Sequence, residues 1–166
     1  MPIALFIGRF QPLHKGHIKV IEDALKKYEK VLIGIGSSKK SREERNPFSY
    51  EERKNMLELV FSKEIKENKI EIFGIEDRES DEEWTNEIIN KINFDVIITG
   101  SDWVEKCFEN RKQIEKIEEI EAKILSGTNI RKMMKEGEEW EKWVDERVAK
   151  YIKKIALKEF FNNLKV

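Results

Sequence analysis

The chain has 166 residues, 39% of them hydrophobic and 39% charged, which is enough for one buried core and is not the composition of a disordered protein. Thirty-two basic residues balance 33 acidic ones to a net charge of -1, so the basic excess of a nucleic-acid binder is missing. One cysteine, Cys107, permits neither an internal disulfide nor a cysteine-built zinc site, and its plain reading is a small buried hydrophobe.

The start, Met1 to Ile7, has neither the basic flank nor the long apolar stretch of a secretory signal. No run approaches the roughly 20 apolar residues that a membrane span needs, so a cytoplasmic location is expected, without membrane contact. Ile3 to Ile7 reads as a buried strand, then a Gly/Pro-punctuated loop and a helix from about Gly16 to Tyr28. Val31 to Ile35 is a second strand that closes on Gly36-Ser37-Ser38, and a polar loop runs from there to Pro47. Ser49 with Glu52 has the spacing of a capping box before a helix carrying Met56, Leu57, Leu59, Val60 and Phe61. Ile70 to Ile75 is a third strand, and Ser80 with Glu83 opens a helix containing Trp84, Ile88 and Ile89. Val96 to Thr99 is a fourth strand ending at Gly100. A helix from about Asp102, a short apolar segment at Ile124-Leu125 and a helix from Gly127 follow. Trp140 to Leu164 reads as a largely helical tail in which Trp140 and Trp143 pack on the core. Strands alternating with helices imply an α/β fold, a doubly wound parallel sheet covered on both faces. Such a sheet binds ligands at the carboxyl ends of its strands, where the loops after Ile7, Ile35, Ile75 and Thr99 gather.

Both histidines of the chain fall in His14-Lys15-Gly16-His17, just after the first strand. A chance surface pair is the plain alternative. Against it, a helix start at a strand's carboxyl end presents amide N–H groups to an anion, and Gly16 leaves room for a phosphate. Imidazoles placed there can donate hydrogen bonds as charge develops on phosphate oxygens. Metal ligation is disfavoured because the motif holds no Cys, Asp or Glu to complete a ligand set. Gly8-Arg9-Phe10-Gln11-Pro12 leads into the pair, and Arg9 offers a guanidinium fork to phosphate. Ser126-Gly127-Thr128-Asn129-Ile130-Arg131 is a second helix start, with Arg131 one turn in, able to reach the same anion.

These two runs resemble the signatures of the nucleotidylyltransferase superfamily. Together with Asn46-Pro47-Phe48, Glu52-Arg53, Phe94-Asp95-Val96, Gly100, Gly137 and Trp140, they make the chain most similar to the archaeal-type nicotinamide-mononucleotide adenylyltransferases. The resemblance runs through almost the whole chain and implies a Rossmann-like sheet, with residues 1–166 forming one nucleotidylyltransferase domain. It implies transfer of AMP from ATP to nicotinamide mononucleotide by direct in-line attack, yielding NAD and pyrophosphate. His14, His17 and Arg131 would then be catalytic. ATP would lie on Gly8, Arg9, Phe10, Gln11, Gly16, Gly100, Ser101, Asp102, Ser126, Gly127, Thr128 and Arg131, with Mg²⁺ carried by its phosphates. Asn46, Arg53 and Trp84 would serve the acceptor; an indole face suits a cationic pyridinium ring. The resemblance also suggests a homo-oligomer, for which the apolar tail around Ile152, Ile155 and Phe160 offers an interface. Lys39 and Arg42 stand where similar proteins commonly carry Gln and His, which leaves the part played by the loop from Lys39 to Arg45 open between a phosphate contact and a mobile solvated loop. Flavin mononucleotide or phosphopantetheine as acceptor, and a nucleotide-binding regulator without turnover, are the alternatives.

Overall fold

The computed structural model describes residues 2–117, 126–155 and 161. Five parallel strands, β1 (Ile3–Gly8), β2 (Lys30–Ile35), β3 (Ile70–Gly74), β4 (Val96–Thr99) and β5 (Gln113–Lys116), lie in the order β3-β2-β1-β4-β5. The helices are α1 (Lys15–Lys27), α2 (Tyr50–Lys66), α3 (Asp81–Lys91), α4 (Asp102–Phe108), α5 (Gly127–Glu136) and α6 (Glu146–Lys154).

Strand alternation sorts the apolar residues into two cores. Ala4 and Phe6 of β1 with Val31, Ile33 and Ile35 of β2 pack on one face with α1, α2, α5 and α6, whereas Leu5, Leu32 and Ile97 point to the other, under α3 and α4. Both faces are covered, and the central strands are apolar apart from Lys30 and Thr99 at their ends. From β1 the chain winds outward through β2 to β3, then returns to β4 on the opposite side. The order therefore reverses between β1 and β4, and the crevice lies outside Gly8 and Thr99.

β5 was not expected, because Gln113-Ile114-Glu115-Lys116 carries one apolar residue. It is an edge strand whose Ile114 reaches the second core while Glu115 pairs with Lys27 at 2.5 Å and accepts from the Tyr28 hydroxyl. The tail is no continuous helix over its described part. A 3-10 turn at Glu141–Trp143 ends in extended Val144, and α6 starts afresh with Asp145 as its N-cap. The apolar segment at Ile124-Leu125 and Phe160 lie outside the described residues. Ile152 is buried in the first core, which takes it out of the oligomer face expected of it, while Ile155 is partly buried against that core.

Candidate active site

β1 ends at Gly8, whose carbonyl accepts the Gly36 N–H at 2.9 Å, so the loops after β1 and β2 leave the sheet side by side. Phe10 adopts φ 52° and folds its ring back to 3.1 Å from where a Cβ on Gly8 would stand. Phe10 is therefore core, 1% exposed and packed edge-on against Phe6; its side chain backs the site and does not take the ATP contact expected of it.

After Leu13 the chain enters α1 with His14 as N-cap. Its Nδ1 accepts the N–H groups of Gly16 at 3.1 Å and His17 at 3.4 Å, while Nδ1 of His17 accepts the N–H of His14 at 3.2 Å. This is a capping box built from two imidazoles, stacked with centroids 3.6 Å apart. The Gly16 amide is consequently occupied by His14 and is not a free anion donor, which replaces the expectation that bare amides greet the phosphate. Each Nδ1 is an acceptor, so in the neutral ring the proton sits on Nε2. Burial, reinforced by the Arg131 charge, pushes His14 down to about 4. Burial and then the neighbouring His14 push His17 well below its ordinary value. Both rings are neutral donors at neutral pH.

Arg131 reaches this loop from the last third of the sequence. Nη1 donates to the Gln11 carbonyl at 2.9 Å and Nη2 to the Thr128 hydroxyl at 3.2 Å. A Cβ on Gly127 would stand 2.8 Å from Arg131 Nη1, so glycine at that position is what lets the guanidinium lie across the helix start. Ser126 is used as the α5 cap, accepting the Asn129 N–H at 3.1 Å. Burial lowers Arg131 to about 10, helped by the charges of Arg9 and Arg45; Arg9 is lowered by burial and by Arg45, with Asp77 opposing. Arg45 was not singled out by sequence, where it is one more charge in Arg42-Glu43-Glu44-Arg45; its field on Arg9 and Arg131 places it in the cluster. Glu44 opposes the lowering of Arg131, but neither Arg9 nor Arg131 pairs directly with a carboxylate among the described residues, and partly buried positive charge of this kind suits a polyanion.

Arg53 differs from its expectation. It is fully buried, and its guanidinium donates to the carbonyls of Ser49, Arg9, Gly36 and Ser37, so it ties α2 to the ends of β1 and β2 and offers nothing to an acceptor. The Gln11 carboxamide is likewise consumed, donating to the Phe48 carbonyl at 2.9 Å and accepting the Phe48 N–H at 2.8 Å, so that it does not face ATP. Asn46 lines a cleft of about 530 Å³ with Arg9, Arg45, Arg78, Glu43, Glu44 and Asp77, and its buried Oδ1 has no hydrogen-bond partner among the described residues. Trp84 is 6% exposed against Trp103 and Phe108; its free edge lines a separate cavity of about 480 Å³ along β3, which includes neither histidine. At the end of β4, Gly100 is followed by Ser101, which caps α4, and by an open Asp102 carboxylate held by Lys116 at 3.1 Å. The Lys39–Arg45 loop is strapped down. Arg42 forks onto Glu52 at 2.7 and 2.9 Å, Lys39 meets Glu76, Lys40 meets Asp77, and Glu44 meets Lys135 of α5. No group of three or more His, Cys, Asp or Glu able to cage a metal occurs among the described residues.

A family model described as cytidylyltransferase-like matches residues 5–148. The chain is 38% identical over 153 residues to the nicotinamide-nucleotide adenylyltransferase of Thermococcus onnurineus (strain NA1), covering 91% of this chain and 82% of that protein. It is 36% identical over 159 residues to the protein of the same name from Archaeoglobus fulgidus, covering 92% and 91%. Among solved structures it superposes, at 25% identity and a TM-score of 0.81, on a bifunctional NMN adenylyltransferase/ADP ribose pyrophosphatase from Francisella tularensis complexed with AMP and a Mn ion. That match takes in 99% of this chain and 53% of the other, so the chain spans about half the length of the bifunctional protein.

Proposed function

The chain belongs to the cytidylyltransferase-like family, and on that footing we propose that it transfers AMP from ATP to nicotinamide mononucleotide, making NAD and pyrophosphate. The observation that carries the reading is a stacked pair of neutral imidazoles in the loop whose Gln11 carbonyl holds the Arg131 guanidinium, close enough for its charge to act on His14, beside the switch point of the sheet. Relatives that share most of its length and carry that activity in their names support the same substrates.

An oxygen of the acceptor's 5′-phosphate attacks the α-phosphorus of ATP. The new P–O bond forms as the bond to the bridging α–β oxygen breaks, and the electron pair leaves with pyrophosphate. No side chain becomes covalently attached. His14 and His17 donate from Nε2 to the α-phosphate as its charge is redistributed, and Arg131 with Arg9 holds the triphosphate. Gly8, Gly127 and Thr128 shape that jaw, while Gly100, Ser101 and Asp102 flank the adenosine at the end of β4. On the acceptor side, Arg45 meets the phosphate and Asn46 lines the cleft beside it. Trp84 serves the pyridinium ring only if its buried indole turns a face toward the Arg45–Asn46 cleft, since it lines a different cavity. A divalent cation such as Mg²⁺, brought in by the ATP phosphates, would help neutralise the leaving pyrophosphate beside Arg9 and Arg131.

Incubation with ATP and nicotinamide mononucleotide should release pyrophosphate and form NAD, and replacement of the acceptor by flavin mononucleotide or phosphopantetheine should not. His17→Ala should lower kcat by about 10²–10³-fold, the scale of one lost preorganised donor. Undiminished turnover would remove His17 from the chemistry.

A further inference from the structure

The loop between β2 and α2 carries Arg45 and Asn46, and the Gln11 side chain joins its far end to the loop that leads into His14. Gln11 is 2% exposed. Its carboxamide closes a two-bond ring with the main chain of Phe48, the pairing a neighbouring strand would make. The Gln11 carbonyl accepts from Arg131 Nη1 on its other side. One residue thus touches the guanidinium of the triphosphate jaw through its backbone and the Asn46-Pro47-Phe48 segment through its side chain. Phe48 is itself fully buried, so the tether fixes a rigid point two residues from Asn46 and three from Arg45.

We propose that Gln11 is a positioning residue for the acceptor: by clamping the Phe48 main chain it sets Arg45 and Asn46 at the distance from Arg131 that the transfer needs. Both hydrogen bonds run to backbone, so the clamp holds the loop whatever side chains it carries. A carboxamide is the group that can supply a donor and an acceptor at once there. Arg42 also ties the loop, forking onto Glu52 and donating to the Pro47 carbonyl, whereas Lys39 to Glu76, Lys40 to Asp77 and Glu44 to Lys135 are largely solvent-facing pairs that add little in water. The buried pair at Gln11 is not screened in this way.

This rests on the acceptor reading above, and the test separates the two. Gln11→Met keeps the volume and removes both bonds. It should raise KM for nicotinamide mononucleotide about tenfold, the scale of two lost hydrogen bonds, while KM for ATP moves less than twofold, because the carbonyl that holds Arg131 is backbone. Trypsin should also cut faster at the Lys39–Arg45 loop. Gln11→Glu supplies a second arm that survives a poorly folding Met variant. Protonated, its carboxyl can donate to the Phe48 carbonyl and accept from the Phe48 N–H, and ionised it cannot donate. Its acceptor KM should fall toward the wild-type value as the pH is lowered toward 5. Wild-type acceptor KM in both variants, or equal rises in both KM values without pH rescue, overturns the assignment. Absence of NAD formation by the unmodified protein instead overturns the function on which it rests.

Discussion

His14 does two jobs with one ring. Nδ1 caps α1, and that engagement leaves Nε2 as the atom that carries the proton. Its folded pKa, about 4, lies below the ordinary 6.5. Between those values the unfolded chain binds more protons than the native one, so stability should be full above pH 6.5 and decline as pH falls toward 4. Urea midpoints at pH 7 and pH 5 should show this loss. His14→Asn, which keeps a capping acceptor without a titratable ring, should shrink the difference between the two midpoints, and an unchanged difference would contradict the account. The sequence made His14, His17 and Arg131 legible, since two histidines one turn apart behind a strand are a rare signal. It hid the parts played by Gln11 and Arg53, because a carboxamide or guanidinium that binds main chain has the same letter as one that binds a ligand. Arg45 was masked by the charged run around it.

At the scale of elements, α5 delivers Arg131 through its first turn, and that approach hangs on Gly127. Gly127→Ala places a methyl 2.8 Å from Nη1 and should push the guanidinium off the Gln11 carbonyl. Steady-state kinetics should then show kcat/KM for ATP down on the order of 10²-fold, as a displacement of about 1 Å can cause, with α5 still capped by Ser126. Full activity in that variant would show that the close approach does not matter. Helix starts were readable: Ser49, Ser80 and Ser126 each accept the expected amide. β5 was not, because an edge strand with Ile114 as its one apolar side chain has no periodic signal, and partnership with β4 alone makes it a strand. The break at Val144 was equally hidden, since Trp140, Trp143 and Val148 continue an apolar pattern through a change of backbone direction.

For the molecule as a whole, the apolar runs at β1, β2 and β4 were enough to announce a parallel sheet, but not the order in which its strands lie. That order depends on long-range pairing, and it puts the reversal beside the histidines. Arg53 fastens the carboxyl end of that sheet. Arg53→Met should leave four carbonyls without their donor and cost about 3 kcal/mol or more, a fall in Tm of roughly 6–12 °C for a chain of this size. Thermal unfolding followed by circular dichroism measures it, and an unmoved Tm would mean that water replaces the guanidinium without loss.

The double duty of the imidazoles also bears on how such a protein can decay. A descendant released from selection for transfer could not discard position 14 freely, since an apolar replacement would fray the first turn of α1. Chains that have fallen silent should therefore keep Asn, Asp, Ser or Thr there, and a sequence with such a residue at 14 and a non-histidine at 17 is where loss of turnover with an intact fold should be sought.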